Sequence, residues 1–92
     1  MADAPTPEDL VIDIFAFRYA LGRSSAAVPV VARRLRERWS LFSELQRAGI
    51  HRDINEAIKY GGAGDPAYVA IWSEFLEMPV RDAEMATAAP RL

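Results

Sequence analysis

Apolar residues in this chain recur at intervals of three and four, in segments bounded by helix start and stop signals, and nowhere in the strict alternation of a strand. Thr6-Pro7-Glu8-Asp9 opens the first segment. Thr6 can accept from free backbone N–H groups, Pro7 suits a first turn, and two acids complement the positive helix end. Leu10, Ile14, Phe17 and Leu21 then form one stripe, with Val11 and Phe15 expected to widen it toward a core, and Gly22 is the natural stop. Ser24 or Ser25 is expected to cap a second helix with Val28, Val31, Leu35 and Trp39 inward, Pro29 being tolerable in its first turn.

A third helix is expected from a Ser40 cap to about Tyr60, with Leu41, Leu45, Ile54, Ala57 and Ile58 inward. Gly49 interrupts it at a cost of roughly 1 kcal/mol relative to alanine. Either the helix bends there or a neighbour packs too closely for a side chain; a continuous or mildly bent helix is the favoured reading. Gly61-Gly62-Ala63-Gly64 reads as a loop, and Asp65-Pro66 restarts the chain as cap and first-turn proline. Val69, Trp72 and Leu76 share a face of the last helix, which Pro79 ends. The expected fold is therefore an all-α, compact four-helix bundle over residues 1–78, with an alanine-rich, flexible tail over 79–92.

A chain of 92 residues buries a small fraction of its surface, and without cysteine it has neither disulfides nor thiolate metal sites to compensate. Stability must come from the apolar core or from association, self-association included. The lack of cysteine fits a cytoplasmic protein. So do an acid at Asp3, where a secretion signal would be basic, and the lack of roughly 20 continuous apolar residues to span a bilayer. The net charge of -2 argues against a general polyanion binder and equally against a dense acidic mimic of nucleic acid.

Little in the chain suggests catalysis. His51 is the lone histidine and has no companions at metal-ligand spacing, so neither a metal nor another cofactor is expected. The serines sit at expected caps or first turns, which accounts for Ser24, Ser25, Ser40 and Ser43 without a nucleophile. The glycine loop follows a helix, and no Gly-Lys-Ser/Thr succeeds it, so it is a poor phosphate cradle. An enzyme is not expected.

The one basic cluster runs from Arg23 to Arg38, with five arginines against Glu37 alone. Helix, Gly22 turn and arginine-bearing helix superficially resemble a helix-turn-helix. Three readings are open: a solvated face paired with acids such as Asp13, Asp53 or Glu56, a protein contact, or a nucleic-acid contact. Arg18 is expected to find a carboxylate near the fourth helix, Asp65 for instance. Two tryptophans, three tyrosines and four phenylalanines exceed what so small a core needs, and Phe42, Tyr60 and Tyr68 are the least securely inside. Exposed aromatics with arginines are the usual anchors of a protein interface.

Ala16-Phe17-Arg18-Tyr19-Ala20-Leu21-Gly22-Arg23, Trp39, Arg52-Asp53-Ile54 with Ala57-Ile58, and Gly64-Asp65 before Trp72 together resemble a family of small proteins scattered through bacteriophages and other mobile elements. The resemblance covers about Asp9 to Glu77. Related forms carry a Thr-Tyr step after the Gly-Arg, where this chain has Ser24-Ser25. The resemblance implies a phage or mobile-element setting more than an activity. Small phage proteins of acidic-to-neutral charge without catalytic residues are commonly counter-defence factors. Among these an anti-CRISPR protein, acting in the host cytoplasm by stoichiometric binding to a Cas protein or CRISPR effector complex, best suits a one-domain binder of this size. The partner contacts expected are Arg33, Arg34 and Arg38, with Glu74 and Glu77 as a second, acidic patch suited to a basic groove. Arg18, Gly22, Arg23 and Asp65 are assigned to maintaining the fold. The alternative is a small nucleic-acid-binding regulator that uses the basic second helix.

Overall fold

The computed structural model describes residues 4–23 and 26–84. They form four α-helices, α1 (Pro7–Ala20), α2 (Ala27–Glu37), α3 (Glu44–Lys59) and α4 (Pro66–Ser73), with 3-10 turns at Trp39–Leu41 and Glu74–Glu77. There is no strand among the described residues. The all-helical, four-helix architecture expected from the periodicity is the one observed.

α1 begins on a reciprocal cap. Thr6 Oγ1 accepts from the Asp9 N–H at 3.2 Å, and Asp9 Oδ2 accepts from the Thr6 N–H at 2.9 Å. The Thr6 N–H holds the Asp9 carboxyl below its ordinary value, because it favours the charged form. At the other end Gly22 is left-handed, with φ +86°, and a Cβ there would lie 2.4 Å from the Gly62 carbonyl oxygen. This glycine both ends the helix and lets the α3–α4 loop pack against it. The serines expected to cap α2 lie outside the described residues. The residue at the cap position is Ala26, which supplies no side-chain bond.

α3 starts three residues later than the sequence suggests. Ser43 and Gln46 make a second reciprocal cap, with bonds of 3.1 and 2.9 Å, while Ser40 falls in the 3-10 turn. The shift changes what faces inward. Phe42 is buried, whereas Leu41 and Leu45, both expected inside, are 52 % and 83 % exposed. The helix passes through Gly49 unbroken. A Cβ at Gly49 would meet only the end of Arg52 at 3.9 Å, which removes the close-packing explanation.

The core joins Phe17, Val28, Leu35, Trp39, Phe42, Ile50, Ile54, Trp72 and Phe75 from every helix and both turns. Phe17 meets Trp72 edge-on at 5.3 Å, and Trp39 lies 5.7 Å from Phe75. Val11 and Phe15, expected to widen the inner stripe of α1, instead face solvent. Arg18 pairs with Asp53 at 3.3 Å and not with Asp65. Asp53 rises from α3 into the same groove as Arg18, whereas Asp65 is exposed at the start of α4.

Residues 79–84 depart from the expected flexible tail, since they form a strap across α3. The Trp39 indole N–H donates to the Pro79 carbonyl at 2.7 Å, and the Asp82 N–H donates to Glu44 Oε1 at 2.8 Å. Asp82 also pairs with Arg47, whose side chain is fully buried. The rest of the expected tail, 85–92, lies outside the described residues.

Candidate partner-binding surface

The arginines of the basic cluster meet different fates. Arg38 donates to Asp13 at 2.6 Å, and Asp13 is only 4 % exposed, so this pair ties α2 to α1 from within. Arg36 pairs with Glu74 at 2.5 Å and lies over the Phe75 ring at 5.7 Å. Arg23 folds back on α1, donating through Nε to the Tyr19 carbonyl at 2.9 Å with its guanidinium 4.2 Å above the Tyr19 ring. Arg33 and Arg34 are exposed on α2 and make no ion pair among the described residues. Between them and one turn back sits Val30, 54 % exposed.

The five residues singled out from the sequence therefore do not form one surface. Arg33 and Arg34 stand together on the outside of α2. Arg38 is committed to Asp13, and Glu74 pairs with Arg36 at the surface, while Glu77 is exposed on the same 3-10 turn as Glu74. Glu77 lines a shallow cleft of about 700 Å³ with His51, Leu76, Met78, Pro79 and Val80. His51 is half-buried there, stacked on Trp39 at 5.5 Å, and its Nε2 is buried without a hydrogen-bond partner among the described residues. No group of three or more His, Asp or Glu among the described residues is placed to hold a metal ion. No helix among them is long and apolar enough to cross a membrane.

Sequence reasoning missed the outer side of α1. Ile12, Phe15 and Tyr19 are 61 %, 63 % and 69 % exposed. A small cleft of about 140 Å³ joins this face to α2 through Ile12, Asp13, Ala16, Val30, Val31 and Arg34. The signal was present in the sequence: the helix has apolar residues at helical spacing on two sides at once, 10-14-17 inward and 12-15-19 outward. A periodicity search that looks for one face accepts the first and folds the second into it. A scan against family models, and searches of curated proteins and of solved structures, find no match to this chain.

Proposed function

We propose that this domain is a phage-borne inhibitor of host defence, an anti-CRISPR protein that binds a Cas protein or effector complex stoichiometrically and blocks a working surface by its bulk. The setting comes from the family resemblance in the sequence. The binding chemistry is supported by one observation: of five clustered arginines, Arg33 and Arg34 alone make no ion pair or ring contact among the described residues, and they lie beside an exposed apolar side chain, Val30. Arginine beside exposed apolar surface is the composition of a protein interface.

The nucleic-acid alternative draws on the same two cations and is weaker for it. Affinity for duplex DNA falls with salt by a slope of about -0.9 per neutralised phosphate. Two free arginines would give a slope of about -2, far short of the roughly 6–10 contacts of a typical binder. Arg36 and Arg38 cannot make up the difference without giving up Glu74 and Asp13.

The test is a phage challenge in cells carrying active CRISPR systems of several types, with and without the protein. Restored plaquing of a targeted phage in one type, and no effect in a strain lacking CRISPR, supports the reading. Replacing Arg33 and Arg34 together by glutamate should abolish the rescue while the purified variant melts as the parent does. Arg38 is left alone, because breaking its pair with Asp13 would unsettle the fold. No rescue with any type would defeat the inhibitor reading and turn attention to nucleic-acid binding by α2.

A further inference from the structure

α1 has two apolar sides, and the fold covers one. On the outer side Glu8, Ile12, Phe15 and Tyr19 follow one another at intervals of four, three and four, the spacing of a seam along which a second helix packs. All four are exposed. A helix apolar on opposed sides belongs inside an assembly, not on a solvated surface. We infer that this seam is the interface of a two-fold homodimer, with the α1 helices of two copies packed antiparallel.

The seam is complementary to itself in that arrangement and in no parallel one. A two-fold axis crossing α1 midway between Ile12 and Phe15 sets Ile12 against the second copy's Phe15, and Phe15 against its Ile12. The same axis sets Val11, 44 % exposed, against the second copy's Ala16, large against small. At the ends, Glu8 meets the second copy's Tyr19, over whose ring Arg23 already lies at 4.2 Å. The Glu8 carboxylate can accept from the phenol and pair with that guanidinium, and it makes no ion pair among the described residues of its own chain. A parallel pairing would place Glu8 against Glu8 and Tyr19–Arg23 against its own copy. Charge therefore selects the antiparallel register.

The area is adequate. An aromatic side chain offers about 150–250 Å². At the observed exposures the seam, with Val11 and Val30 at its edges, presents on the order of 500 Å² of apolar surface, at the upper end of what monomers leave open. Two such faces bury about 1,000 Å² before the charged rim is counted, the threshold of a specific interface. An interface of this size is at the low end of those that bind specifically, so the dimer is expected to form and dissociate with concentration.

Sedimentation equilibrium on the full chain, from micromolar to millimolar protein, measures this directly. A monomer–dimer equilibrium is expected for the parent, and a monomer throughout for Phe15→Asp. Tyr19→Asp serves as a second disruption should the first fail to fold, with circular dichroism confirming the helices in each. Glu8→Arg and Arg23→Glu should each weaken dimerisation about tenfold, since two rim pairs are lost per dimer. The double exchange E8R/R23E should restore it. A parent that stays monomeric overturns the inference, and so does a dimer that survives Phe15→Asp and Tyr19→Asp. A dimer indifferent to the charge exchange overturns the antiparallel register.

Discussion

Replacing Asp82 by alanine should destabilise the domain by about 2 kcal/mol, through a residue that is itself mostly in water. Arg47 has no exposed side-chain surface, and its one anionic partner among the described residues is Asp82, which is 76 % exposed. The remaining contacts of the guanidinium are thin. Nε reaches the Ser43 carbonyl at 3.4 Å, and Nη1 has no hydrogen-bond partner among the described residues. Removing one member of a fully buried pair costs about 3–5 kcal/mol, because the other charge is stranded. Exposed pairs are worth about 0–1 kcal/mol. This pair is buried at one end only, and once the strap lifts water can reach the guanidinium, so the expected value lies between the two. For a domain near this size, about 2 kcal/mol lowers Tm by about 8–16 °C. Arg47→Met removes the stranded charge together with its desolvation and should change stability by less than about 1 kcal/mol. In that background Asp82→Ala should cost no more than about 0.5 kcal/mol. Alanine keeps the backbone N–H that bonds Glu44, so the cycle isolates the side chain. Urea unfolding of the four proteins, followed by circular dichroism, gives the coupling. An equal loss from Asp82→Ala with and without Arg47 would refute the argument that the buried charge is what the strap stabilises.

Three further outcomes follow from the packing. Trp72→Ala should cost about 3–5 kcal/mol, enough to unfold a domain of this size, as seen by loss of the thermal transition; Trp72 is fully buried against Phe17 and Phe75. Gly22→Ala should cost more than Gly61→Ala, although both are left-handed. The strain of φ is common to them, at about 1–2 kcal/mol, but only at Gly22 does the new methyl strike backbone, while Gly61 faces open space; paired melts compare them. In acid, the Asp9 carboxyl is held below its unfolded value by the Thr6 N–H, so its contribution is present above the unfolded pKa and is lost as pH falls through the folded one. Asp9→Asn should therefore flatten the acid side of the stability–pH curve below about pH 4 and leave its neutral region parallel to that of the parent.

What the sequence by itself determined was everything settled within a few residues. Thr6-Pro7 starts α1 as read, α4 starts at Pro66 with Asp65 at the cap position but without a side-chain cap bond, Gly22 stops α1, and Gly49 does not break α3, because cap and propensity terms act over one turn of chain. The choice between two competent caps was already beyond it. Ser40 and Ser43 each suit a helix start, and burial of Trp39 and Phe42 under the other helices favours the second. The candidate site was legible only in its parts. Arg33 and Arg34 are exposed and make no ion pair among the described residues, whereas Arg38 and Glu74 pair with residues 25 and 38 positions away, which no local pattern reveals. The same distance hid the Arg47–Asp82 strap, 35 residues apart, inside what composition marks as a tail. On α1 the sequence offered two apolar sides and no means to choose between them. Tertiary packing chose, burying Phe17 against Trp72 and leaving Ile12, Phe15 and Tyr19 exposed.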